Sequence, residues 1–254
     1  MGLASERLPY LERAALVISV TATGLGVVAL TAAHWWWLLA AWLTVEASIG
    51  TLWALGPGST SRLRALVETA PTALLVLGSS ICLRQIEGPW RWISLGFAVA
   101  LLIALLLGRY YSLDPQSRLF GSARFASNLV IYLLALGYFA GVYGTRVRSL
   151  QSATAITLVA FLLALYSLGP SLTRRSWLAA AVSGVMMGEV TWGLNYWPLG
   201  GLVGGLFLLL VFYGLTGTLH SYLLGRLTRG VLVEFAAVLL AGFAILAVSS
   251  ILVG

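Results

Sequence analysis

Apolar residues run along this chain in long blocks, and the breaks between blocks are short, polar and rich in arginine. The first block, Ala14 to Leu55, is about twice the roughly 20 residues that cross a bilayer, so it predicts two helices folded back near Ala33 to Trp36. The later blocks predict one helix each, over 67–83, 92–110, 125–143, 150–168, 177–196, 201–222 and 231–252. With 14–33 and 35–55 for the first pair, the expected fold is all-α: a polytopic transmembrane bundle of about nine spans, forming one integral membrane domain over residues 1–254. The third span carries Glu68 and Pro71 in its first turns, where proline is tolerated and a carboxylate suits the positive end of the helix dipole.

Arginine placement gives an orientation. With the amino terminus inside, the cytoplasmic links hold Arg7, Arg13, Arg62, Arg64, Arg109, Arg118, Arg124, Arg174, Arg175, Arg226 and Arg229, whereas the outer links hold only Arg84, Arg91, Arg146 and Arg148. Basic residues collect on the cytoplasmic side, so the amino terminus is expected inside and the carboxy terminus outside. Interfacial aromatics agree with the same depths: Trp35, Trp36, Trp37, Trp90, Trp92 and Trp197 at outer ends, Tyr110, Tyr111, Trp177 and Tyr222 at inner ends. The first block is preceded by Glu6, Arg7, Glu12 and Arg13 and is too long for a signal-peptide core, so the first span should be retained.

Composition places the chain in the same class. Hydrophobic residues are 60% of 254 and charged residues 9%, against about a quarter charged in soluble domains, and the mean hydropathy is +0.96. The net charge of +7 would invite a nucleic-acid partner, but the arginines are dispersed in short links rather than gathered on one face, so no nucleic acid is expected. All fifteen basic residues are arginine, which excludes a lysine-linked cofactor. The lone Cys82 excludes an internal disulfide and a cysteine metal cluster. His34 and His220 fall at opposite membrane faces, which forbids a bis-histidine haem; a singly ligated haem or chlorin stays open. Motifs for phosphate loops, serine or zinc hydrolysis and paired aspartates are absent, so no catalytic residue and no metal ligand is assigned.

Two carboxylates stand out against this background. Glu46 lies about 16 Å down the second span and Glu189 about 18 Å up the seventh, so their depths overlap near the midplane. Helical spacing places Trp42, Gly50 and Trp53 on the face of Glu46, and Val185, Trp192 and Tyr196 on that of Glu189. A charge at that depth costs at least a few kcal/mol and marks a functional candidate. Two accounts remain open: a protonated carboxyl hydrogen-bonded to a neighbouring helix as a structural lock, or a proton-titrating or cation-binding pair in a cavity lined also by Asn128, Asn195 and Trp192. Glu68 and Glu234 are read as headgroup-level residues near helix starts.

Glycines spaced four apart suggest which helices approach closely: Gly137 with Gly141, Gly184 with Gly188, and the overlapping pairs Gly200 with Gly204 and Gly201 with Gly205. The link from Asn195 to Gly200 is short enough to make spans seven and eight an antiparallel hairpin.

The stretch Gly188-Glu189-Val190-Thr191-Trp192-Gly193-Leu194-Asn195-Tyr196-Trp197-Pro198-Leu199-Gly200, with Phe212-Tyr213 and Arg226-Leu227-Thr228-Arg229, resembles an uncharacterised family of polytopic bacterial membrane proteins, mainly over residues 184–230. The resemblance implies a multi-pass protein of a bacterial plasma membrane and draws attention to Glu189, Asn195 and Trp197; it implies no activity. Three classes of function therefore stay open. The first is transport or permeation of a small solute or proton through the intramembrane carboxylates. The second is a non-catalytic subunit or scaffold that docks a protein partner, a second copy, a lipid or a pigment. The third is a lipid-modifying enzyme. Membrane lipid is the one partner common to all three.

Overall fold

A computed structural model describes residues 2–31, 35–55, 62–112, 120–145, 149–168, 173–197 and 199–253. Among these residues the regular elements are nine α-helices: α1 (Gly2–Leu30), α2 (Trp36–Leu55), α3 (Arg62–Gln85), α4 (Pro89–Ser112), α5 (Phe120–Gly144), α6 (Ser149–Ser167), α7 (Arg174–Leu194), α8 (Gly201–Leu223) and α9 (Arg229–Val253). Each apolar block has become one helix, and the first has become two. Among the described residues five segments, none of them in α2 or α7, are long and apolar enough to cross a membrane: Glu12–Leu30, Pro89–Tyr111, Phe120–Gly144, Ser149–Ser167 and Gly201–Leu223.

The helices outrun the blocks mainly at their amino-terminal ends. α1 begins at Gly2 rather than near residue 14, and α3 begins at Arg62 rather than near 67. Helical hydrogen bonding continues through polar residues once a turn is nucleated, whereas apolarity stops where the lipid does. The chain divides into two compact units, Met1–Val130 and Ile131–Gly254, with the division inside α5.

In the first unit α1 presents a stripe of Tyr10, Ala14, Val17, Thr21, Leu25 and Val28, all buried at three- and four-residue spacing. It packs against Ala40, Leu43, Ala47 and Thr51 of α2, and a core of Leu25, Val28, Ala29, Leu43, Ala47, Val76, Leu83 and Ala98 joins α1 to α4. Two glycines let α1 and α2 approach. A Cβ on Gly24 would lie 2.1 Å from Leu43 Cδ2, and one on Gly50 would lie 2.8 Å from Val17 Cγ2. At the end of α1, where a helix leaves its last carbonyls unpaired, Arg84 of α3 donates to Thr31 O and Arg91 of α4 donates to Ala29 O at 3.1 Å. Cations at a helix carboxy terminus also complement its dipole, so these two arginines hold α3 and α4 to α1 as well as counting toward topology.

At the other end of this unit, Tyr10 stacks on Tyr110 with centroids 4.5 Å apart, and its hydroxyl donates to Leu106 O at 2.9 Å. Glu68 pairs with Arg109 of α4. Because α3 starts at Arg62, Glu68 lies in the second turn rather than at the dipole end, and a guanidinium neutralises it there.

In the second unit α6 and α7 pack most closely. Gly184 and Gly188 present bare backbone to α6, where an added Cβ would meet Thr157 O at 2.9 Å and Thr157 Oγ1 at 2.1 Å respectively. α8 meets the end of α5 in the same way: a Cβ on Gly201 would lie 2.8 Å from Gly144 Cα, and one on Gly205 would lie 2.6 Å from Ala140 Cα. Phe139 and Phe212, both fully buried, meet edge to face at 5.7 Å between these helices. The Tyr143 hydroxyl donates to Leu194 O at 3.0 Å and Trp197 O at 2.8 Å, tying α5 to the turn that follows α7. α8 ends at Gly225, whose φ of 65° allows Gly225 N to reach Tyr222 O and Arg226 N to reach Ser221 O, both at 3.0 Å. That is a Schellman closure, which favours glycine because only glycine adopts the left-handed conformation without a Cβ penalty.

Candidate functional site: a half-buried carboxylate

Glu46 sits in the middle of α2, one helical step aside from the buried row Leu43, Ala47 and Thr51. That offset leaves the side chain half-buried. Its Oε2 is nevertheless fully enclosed and has no hydrogen-bond partner among the described residues. A carboxylate oxygen removed from water without a donor is costly, so this atom requires a proton, a water or an ion that the neighbouring side chains do not supply. The tryptophans on its helix face do not donate to this oxygen, and both are exposed, Trp42 at 60% and Trp53 at 49%. Trp53 serves Arg13 instead, whose guanidinium lies 5.1 Å from the ring centroid and donates to Trp53 O.

Glu189 is placed differently. On α7 the buried row is Ser183, Gly184, Met187, Gly188 and Thr191, and Glu189 lies on the opposite, exposed side. Val182, Val185, Met186, Trp192 and Tyr196 are exposed with it, so the carboxylate stands in an outward apolar stripe. It belongs to the second unit and Glu46 to the first.

The remaining expected lining residues are dispersed. Asn195 is half-buried and donates from Nδ2 to Ser152 Oγ at 2.9 Å, joining the end of α7 to the start of α6. Asn128 is exposed on α5, and Trp192 is 57% exposed. Among the glycines, Gly184, Gly188 and Gly204 lie against neighbouring helices, while a Cβ on Gly137, Gly141 or Gly200 would meet nothing within 4 Å. α5 instead approaches α8 through Ala140 and Gly144, one turn away in register from the glycine pair that the spacing singles out. Among the described residues no three His, Cys, Asp or Glu side chains gather into a metal-binding group. His34, Arg118, Arg146, Arg148 and Pro198 lie outside the described residues.

The family described as "Protein of unknown function (DUF5656)" matches residues 13–249. The chain belongs to that family. The match extends across all nine helices, well beyond the 184–230 stretch that carries the resemblance. No curated protein and no solved structure matches the chain.

One residue of this family member was not legible as a candidate. Thr21, in the middle of α1, is fully buried, and its Oγ1 has no hydrogen-bond partner among the described residues. Helical threonines ordinarily return their hydroxyl to the carbonyl four residues back, and Thr23, Thr44 and Thr51 all do so at 2.7 Å. In sequence Thr21 is indistinguishable from them; only packing shows that its hydroxyl is unspent.

Proposed function

We propose that this family member is a nine-span membrane protein, amino terminus in the cytoplasm and carboxy terminus outside, that passes a proton across the membrane by way of Glu46. Five helices already have the length and apolarity of spans, and the eleven-to-four division of arginines supports the orientation. The plasma membrane is the compartment in which that arginine bias would be read. A reporter fused after Gly254 should therefore be external and one inserted in 113–119 cytoplasmic; a cytoplasmic signal from the first would change the span count.

The observation that carries the transport reading is the enclosed, unpartnered Oε2 of Glu46. A structural lock needs its carboxyl hydrogen-bonded across a helix interface, since the lock is the bond. An acid whose oxygen is enclosed without such a bond suits a site that is filled and emptied. The expected result in proteoliposomes holding the purified chain and a pH-sensitive dye is proton flux driven by an imposed potential. Glu46→Gln keeps the shape, removes titration, and should lower the flux at least tenfold, while Glu234→Gln leaves it unchanged. Flux no greater than in empty vesicles would overturn the reading.

A second reading, a scaffold or subunit, is favoured by the α7 stripe around Glu189. A carboxylate facing lipid is costly, and a partner helix bearing a donor would relieve it.

A further inference from the structure

Thr21 and Glu46 each hold a buried oxygen that nothing satisfies, and the packing of α1 against α2 places them at one level. Gly24 receives Leu43, and Gly50 receives Val17, so the two helices run antiparallel with both contacts in one register. From Val17 to Thr21 is four residues, as from Gly50 back to Glu46; from Gly24 back to Thr21 is three, as from Leu43 to Glu46. Equal steps in opposite directions along antiparallel helices end at the same height. Both residues lie on the seam itself, Thr21 within three to four residues of Val17 and Gly24, Glu46 within three to four of Leu43 and Gly50. Glycine at both bracketing contacts draws the helix axes toward the near end of the roughly 8–10 Å range for packed helices. A glutamate side chain entering from the edge of such a seam reaches its middle.

We infer that Thr21 and Glu46 form a proton-binding couple across the α1–α2 seam. This rests on Glu46 being the proton acceptor of the preceding section. When Glu46 is ionised, the Thr21 hydroxyl donates toward its carboxylate through one water; when Glu46 is protonated, the same hydroxyl accepts from that water as the new O–H donates to it. One side chain that both donates and accepts can serve the two protonation states in turn, which a backbone carbonyl or an indole cannot. A metal cation would call for about six oxygen ligands. Two unpaired oxygens suit a proton.

Among the described side chains, the other charged and titratable groups on the helices packed against α2 are engaged or exposed elsewhere. On α1, Glu12 is exposed, Tyr10 is engaged with Tyr110, and Arg13 lies two turns away at Trp53. On α3, Thr72 beside Thr51 sets the register. Glu68 is paired with Arg109 toward one end, Arg84 lies over Trp36 toward the other, and Cys82 is exposed.

Infrared difference spectra of the full chain in lipid, recorded across a pH titration, read the couple without any transport assay. A carboxylic-acid carbonyl band removed by Glu46→Gln identifies the group. Thr21→Val, which keeps the shape and removes the hydroxyl, should shift that band. Thr21→Ser, which restores the hydroxyl, should return it, and Thr23→Val should leave it in place. A Glu46 band that stays put in Thr21→Val overturns the couple while leaving transport standing. A band that shifts as expected in a chain giving no flux retains the couple and removes transport. If Glu46→Gln removes no band at any pH, both fall.

Discussion

Replacing Gly205 with leucine should cost the second unit roughly 3 kcal/mol or more, the upper range for forcing extra atoms into a packed site. The reason is what the new Cβ would meet: the Cβ, Cα and N of Ala140 at 2.5, 2.6 and 2.7 Å. Two of these atoms are backbone, so no rotamer change makes room and α5 must move bodily from α8. That movement would also disturb the Gly201–Gly144 approach one turn away and the nearby Phe139–Phe212 contact. Gly188→Leu and Gly204→Leu should be less severe, because the nearest atoms there belong to the side chains of Thr157 and Tyr143. Tyr143 has little freedom to yield, since its hydroxyl closes the turn after α7. Gly137→Leu and Gly141→Leu face open space and should change stability by less than about 0.5 kcal/mol. Thermal unfolding of the five variants in one detergent ranks them. Equal midpoints for Gly205→Leu and Gly137→Leu would refute close packing of α8 on α5.

Removing one member of the Glu68–Arg109 pair should be nearly as damaging. Both side chains are largely buried, 11% and 22% exposed, and breaking such a pair typically costs about 3–5 kcal/mol because the other charge is left uncompensated. Glu68→Leu and Arg109→Leu should each lower stability by that order. The double variant should be more stable than the sum of the single losses predicts, since replacing both charges with apolar groups can be close to neutral. A double-mutant cycle in lipid-like detergent reads the coupling directly. Strict additivity would show that the pair holds nothing together.

These expectations separate what each helix shows by itself from what only its neighbours reveal. Apolarity is a local property, so the helical blocks, the turn inside Ala14 to Leu55 and the position of Glu46 and Glu189 within apolar helices were readable from residue order. Rotation about the helix axis was not. In a water-soluble protein the polar face of a helix betrays which side is buried; in lipid the outward face is as apolar as the core, so that signal vanishes. Gly137 and Gly141 therefore have the same spacing as Gly184 and Gly188, yet one pair faces outward and the other touches α6. For the same reason Trp42 and Trp53 share a helix face with Glu46 without shielding it.

Partnership between helices was equally hidden. Glu68 reads as a helix-start residue until α3 is seen to begin at Arg62 and Arg109 is found beside it. Thr21 reads as one more small helical residue until its buried hydroxyl is seen to make no bond to its own helix, unlike that of Thr23. The sequence by itself determined an all-helical, strongly apolar chain with two acids set inside apolar blocks, because helix formation and apolarity depend on composition along one helix at a time. Only the tertiary structure decided that Glu189 looks outward, that Glu46 keeps an enclosed oxygen unsatisfied, and that Thr21 stands level with it. Each of those depends on the azimuth and register of two packed helices, which glycine contacts set and residue order does not display.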